Sequence, residues 1–262
     1  TLNWLARNSS VKSASSIPVT PLDKDKLEQW LKKQSQARRN WIRTAGFTAS
    51  PGTLLALPDK DGKVERVLFG VKDNGGLYSY ASLPARLSQN AGGYYIDQPM
   101  NAAHATQAAL GWALGSYQFS RYKSGDKKEF APLVWPAAAD RKIVQSTASS
   151  MYLVRDLVNT PANDMGPAEL AAAAKKVAGA FKSARINIIV GEDLQKKNYP
   201  AVYAVGKGSP RAPRFIDIRW GNKKNPKVTL VGKGVCFDPG GLDINPSHAM
   251  ALMKKDMGGA AH

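Results

Sequence analysis

The sequence predicts an α/β protein in two parts, an N-terminal α/β domain over residues 1–138 and a second, mixed-sheet domain over 139–262 that opens with a long linker helix. Three observations predict it. Strand-like and helix-like stretches alternate through both halves, which is the pattern of layered α/β folds. The helical stretch IVQSTASSMYLVRDLV stops at NTPANDMGP, where two prolines and a glycine break it and mark a boundary nearby. The 262 residues are 43% hydrophobic, with apolar positions spread along the chain, enough for two buried cores.

In chain order, DKDKLEQWLKK offers Asp23 as a cap, with Leu27, Trp30 and Leu31 at helical spacing. TLLALPDKDGKVERVLFGV reads as two strands around a tight turn at Asp61-Gly62. The Ala-rich run 101–118 returns to a helix, and APLVWP at 131–136 reads as a short strand. Beyond the linker helix the expected order is helix (ELAAAAKKVAGAF), strand (INIIV), helix (EDLQKKN), then three strands in AVYAV, RFIDIRW and KVTLVGKGV. Such alternation predicts a largely parallel or mixed sheet with helices on both faces, and ligands gather outside the carboxyl ends of its strands. MKKDMGGAAH looks like the opening of a helix, so the second domain is expected to continue past the last residue given. The first residue is Thr1 rather than Met, so the natural start is expected upstream. Trp30, Trp41, Trp112 and Trp135 read as core or interface residues of the first domain.

Composition narrows the function. No apolar run approaches the roughly 20 residues that span a bilayer, and TLNWLARNSS lacks the basic and apolar regions of an export signal. A single cysteine, Cys236, excludes an internal disulfide and a thiolate metal site, which favours a reducing, cytoplasmic setting. Inside an apolar stretch with no histidine nearby, it reads as a small core residue rather than a nucleophile. The formal charge of +17 is spread in pairs such as Lys32-Lys33, Arg38-Arg39, Lys127-Lys128 and Lys196-Lys197, without interleaved aromatics. Scattered cations read as solvated surface; a polyanion site is the alternative.

The stretch richest in chemistry is TLVGKGVCFDPGGLD at 229–243. Lys233 and Asp238 stand at the end of a predicted strand, Asp243 follows, and Asp256 lies beside Gly258 and Gly259. Carboxylates converging on a glycine-lined cleft are hard ligands for a divalent cation. The same residues also allow a structural reading: Asp238 caps a turn, Lys233 pairs with it, and the glycines permit the turn. Asp243 reads as a turn or surface acid. VGKG is not a phosphate loop, since GxxxxGK(S/T) is absent. No HExxH occurs, His104, His248 and His262 have no mutual metal spacing, and no Ser-His-Asp set can be assembled.

VGKGVCFDPGGLDINPS, the later MALMKKDMGGAA, RDLVNTPANDMGPAEL and FIDIRWG together resemble the M17 leucyl aminopeptidase family, whose pattern joins VGKG, FD, a small residue and GG to a later M-(K/R)-x-D-M-x-G-A. The resemblance covers about 150–262 closely and the first half in general order. It implies a cytosolic metalloaminopeptidase, assembled as a homo-hexamer, that removes leucine-like N-terminal residues from peptides with two divalent metal ions, Zn, Mn or Mg. By position, Lys233 would ligate one metal through its amine, Asp238 would bridge both, and Asp256 would share the metal of Lys233. Met253 would line the pocket for the first side chain.

Two departures stand out. Seven residues after the bridging aspartate the family carries a catalytic lysine, and this chain carries Asn245; Pro239 replaces the usual small residue. The family also completes its site with NTDAEGR, a stretch this sequence does not contain. The sequence therefore predicts a partial metal site, inactive by itself. Asn245 and the +17 charge favour a second expectation, a degenerate relative with a binding or DNA-associated role.

Overall fold

The computed structural model describes residues 15–72, 75–89, 92–125 and 128–262; the opening stretch read for export signals and Lys127 lie outside the described residues. The chain divides into two compact units, the first ending at Tyr152 and the second starting at Leu153.

The first unit contains β1 (Ile17–Leu22), α1 (Lys24–Leu31), α2 (Gln36–Thr44), β2 (Leu54–Pro58), β3 (Val64–Gly70), α3 (Leu77–Ala81), β4 (Tyr94–Ile96) and α4 (Ala102–Gly115). Helix α5 (Arg141–Asn159) carries the chain from the first unit into the second. Its sheet has the order β2-β3-β1-β4, with β1 parallel to β3 and β4 and β2 antiparallel to β3. Alternation along the strands sends side chains to two cores. Val19, Val67 and Phe69 pack with Tyr80, Tyr94 and Trp112. Leu22, Leu68 and Leu57 pack with Leu27, Leu31 and Ile42 from α1 and α2. Matching each side chain to its own core fixes the strand register, because a slip by one residue would send the whole set to the opposite core.

Strand β1 is not evident from the sequence, because IPVTPL carries two prolines in what proves to be a central strand. The hydrogen bonds show why both are tolerated. Ile17 N–H donates to Gly93 O and Val19 O accepts from Asp97 N, so odd positions face β4; Leu22 O accepts from Val71 N, so even positions face β3. Pro18 precedes the β1/β3 register, which begins at Val19, and Pro21 lies beyond the β1/β4 register, which ends at Val19. Neither missing N–H removes a ladder bond. At 131–136 the predicted strand reduces to a single bridge between Leu133 and Tyr94, flanked by Pro132 and Pro136.

Helix α4 carries the fully buried Trp112, whose indole N–H donates to Ala131 O at 3.0 Å. Its glycines permit close approach to α3: a Cβ on Gly111 would stand 2.0 Å from Leu77 O, and one on Gly115 would stand 1.9 Å from Ala81 O. Gly115→Ala is expected to destabilise the first unit by about 3 kcal/mol, the upper range of overpacking. Gly179→Ala, with nothing within 4 Å of the added carbon, serves as the control. Urea unfolding that moves equally for both variants would refute the close-packing account.

The second unit contains α6 (Pro167–Gly179), β5 (Arg185–Val190), α7 (Asp193–Lys196), α8 (Pro200–Gly206), β6 (Arg214–Arg219), α9 (Ser247–Met250), a 3₁₀ turn (Met253–Lys255) and α10 (Gly258–Ala261). β5 and β6 pair antiparallel, from Arg185 opposite Arg219 to Val190 opposite Arg214. Two predicted strands are corrected. AVYAV lies in α8, because Pro200 stands at the helix start with its φ already suited to the turn, and a short apolar run has no period that separates helix from strand. KVTLVGKGV forms no strand. A strand exists by its ladder, and among the described residues none pairs with it; Val228, Leu230 and Val231 are 83%, 92% and 93% exposed.

Candidate functional site

Glycine lets the VGKG segment lie against the last helix. A Cβ on Gly232 would be 2.5 Å from Gly259 O, and one on Gly259 would be 3.1 Å from Lys233 N. With no side chains between them, Ala260 N–H donates to Lys233 O at 2.8 Å. This contact brings Lys233 beside Asp256, and the two side chains form an ion pair. Both are about half exposed, so the pair adds at most about 1 kcal/mol to stability. An ammonium has three donors and no lone pair, so Lys233 could ligate a cation only after releasing its proton.

Asp238 is held differently. Its Oδ1 accepts from Gly240 N–H at 3.0 Å, the Asx turn that a short acid forms with the backbone two residues on. Gly240 has φ +101° and bridges Ile244, while Asn245 N–H donates to Pro239 O at 2.9 Å, so 239–245 closes into a small loop. A Cβ on Gly240 would meet Asp243 O at 2.2 Å, which makes glycine obligatory there. Asp238 thus caps a turn, as in the structural reading, whereas Lys233 pairs with Asp256 rather than with Asp238. Asp243 and Asn245 are exposed on this loop, and Met253 is half buried in the 3₁₀ turn.

Beneath these segments sits a core of Leu157, Met165, Leu170, Cys236 and Met257. Burial pushes the Cys236 thiol above its ordinary range, with the Glu169 charge adding to it, so the sulfur stays protonated and packs as a small apolar residue. Two cations that sequence reasoning did not single out hold the end of α5 and the chain just after it, within the second unit. Arg211 donates to the carbonyls of Ala162, at 2.8 Å, and Asn163. Lys254 Nζ donates to Asn159 O at 2.9 Å. The basic position in M-(K/R)-x-D-M was the available signal for the second.

The donors are hard carboxylates and an amine, suited in kind to a divalent cation. They are too few to enclose one: among the described residues no three His, Cys, Asp or Glu side chains converge on a common point.

Comparison with known proteins gives the class. The M17 aminopeptidase N-terminal domain matches residues 17–136, and the cytosol aminopeptidase family catalytic domain matches 152–262. A "Probable cytosol aminopeptidase" of a Chelativorans species is 37% identical over 175 residues, 62% of this chain and 35% of that protein. The crystal structure of the cytosol aminopeptidase of Coxiella burnetii superposes with a TM-score of 0.89 at 42% identity, covering 98% of this chain and 55% of that one. The bottromycin maturation enzyme BotP in complex with Mn superposes with a TM-score of 0.71 at 27% identity, over 95% of this chain and 54% of that one. The structure is a two-unit α/β protein whose two halves match the two domains of one peptidase family. The chain belongs to the M17 cytosol aminopeptidase family. It spans about a third of the curated Chelativorans relative and about half of the Coxiella structure.

Proposed function

We propose that the whole protein is a metal-dependent aminopeptidase that removes leucine-like N-terminal residues from peptides in the cytoplasm, as a homo-hexamer. Lys233, Asp238 and Asp256 are the ligands this chain contributes to two divalent cations, Zn, Mn or Mg. Met253 lines the pocket for the first side chain, and Asn245 faces the reacting carbonyl. One observation carries the reading: the Lys233–Asp256 pair brings together two residues of separate family motifs, 23 positions apart. The manganese in the BotP structure supports the choice of a divalent ion. Bound cations of this kind activate a water and polarise a carbonyl. The described residues supply part of the donor set, so hydrolysis belongs to the whole protein and the chain alone is expected to be inactive. The cytosol in the relatives' names supports the cytoplasmic placement; among the described residues no helix is long and apolar enough to cross a membrane.

The test is hydrolysis of leucine p-nitroanilide by the whole protein with Mn²⁺ or Zn²⁺. Turnover is expected with metal and none after chelation; turnover that survives chelation would rule out the metal-dependent reading. The second reading, a binding protein without turnover, is favoured by Asn245 and the net charge of +17. Duplex DNA binding that weakens steeply with salt would support it.

A further inference from the structure

Asp256 is carried by a very short element. The 3₁₀ turn Met253–Lys255 has no side-chain cap, and its hydrogen bonds are Lys255 N–H to Leu252 O and Asp256 N–H to Met253 O, each 3.1 Å. A single turn does not hold its own orientation in water. On the chain before it, Leu252 is 59% exposed and provides no anchor. On the far side Met257 is fully buried in the core with Leu157 and Leu170. Met257 and the Ala260–Lys233 main-chain bond hold the far end of the turn, which leaves its rotation to the side chains the turn itself carries.

Lys254 supplies the second point. Its side chain is half buried, and its ammonium donates at 2.9 Å to Asn159 O, the carbonyl of the last residue of α5. The last carbonyls of a helix lack intrahelical partners and carry the negative end of its dipole, so a lysine there is favoured on both counts. We infer that Lys254 is a positioning residue, whose bond to the end of α5 sets the rotation of the 253–255 turn and so aims the Asp256 carboxylate at Lys233. The inference rests on the proposal that Asp256 is a metal ligand. Its added content is that the long helix, through one lysine, sets the geometry of the site.

The test reads Mn²⁺ binding by electron paramagnetic resonance in the whole protein, with thermal unfolding followed alongside. Lys254→Met keeps the aliphatic stem and removes the donor. It is expected to weaken Mn²⁺ binding about 10- to 100-fold, the usual cost of losing a group that orients a ligand, at an unfolding temperature close to that of the parent. Lys254→Arg still reaches the carbonyl and is expected to restore binding. Asp256→Asn separates the two claims. If Asp256→Asn loses Mn²⁺ while Lys254→Met binds as the parent does, the positioning role is refuted and the ligand assignment stands. If Asp256→Asn binds normally, the ligand assignment fails and the inference with it. A loss in Lys254→Met that Lys254→Arg does not restore also overturns the inference.

Discussion

Asn245→Lys is expected to raise kcat of the whole protein toward leucine p-nitroanilide by about 10²- to 10³-fold, with KM little changed. The size follows from the worth of one preorganised donor at a developing oxyanion. An asparagine amide offers a neutral hydrogen bond, whereas an ammonium adds a full charge where the tetrahedral intermediate gathers its own. The structure favours a clean exchange. Asn245 is exposed, and its loop is closed by main-chain contacts, Asn245 N–H to Pro239 O and the Gly240–Ile244 bridge, which do not use its side chain. An effect confined to kcat would mark a group acting in the transition state, and one confined to KM would mark ordinary binding. Asn245→Ala separates a useful amide from an inert one: a further fall shows that the asparagine retains part of the function. Identical kcat in all three forms would remove position 245 from the chemistry, and no turnover in any of them would favour the binding protein over the enzyme.

How much of this was legible in the sequence depended on whether the cause was local. Asp23 caps α1 through Lys26 N–H at 2.9 Å, and Gly62 takes φ +79° between β2 and β3, because caps and turns are decided within a few residues. Helices α4, α5 and α6 were legible for the same reason. Strand β1 was not, since its prolines become acceptable only once the neighbouring registers are known. Nor was the state of KVTLVGKGV, whose composition favours a strand although no described strand pairs with it. In the site, the resemblance to the family's motifs marked Lys233, Asp238 and Asp256 as a candidate set, and structure was needed to show which of them meet. Contacts such as Lys254 to Asn159 O join residues 95 apart and leave only a basic residue as their trace.

Asp238 separates the structural and the chemical readings most sharply, because the two predict opposite results for one conservative substitution. Asparagine keeps an oxygen at the position of Oδ1, so Asp238→Asn retains the bond from Gly240 N–H and the Asx turn with it. If the carboxylate serves only the turn, Asp238→Asn turns over substrate like the parent, and only Asp238→Ala suffers, through a loop loosened by about 1 kcal/mol. If it is the ligand shared by two cations, Asp238→Asn removes the negative charge both of them need. Activity is then expected to fall by more than the about 100-fold that loss of an outer partner costs a metal site, with no change in unfolding temperature. We expect the second result. The motif supports it: Asp238 stands in the FD-x-GG stretch, inside the part of the chain that matches the M17 catalytic domain. Recovery of Asp238→Asn activity at raised Mn²⁺ would show weakened metal binding. Parent-like turnover at every metal concentration would return Asp238 to the turn.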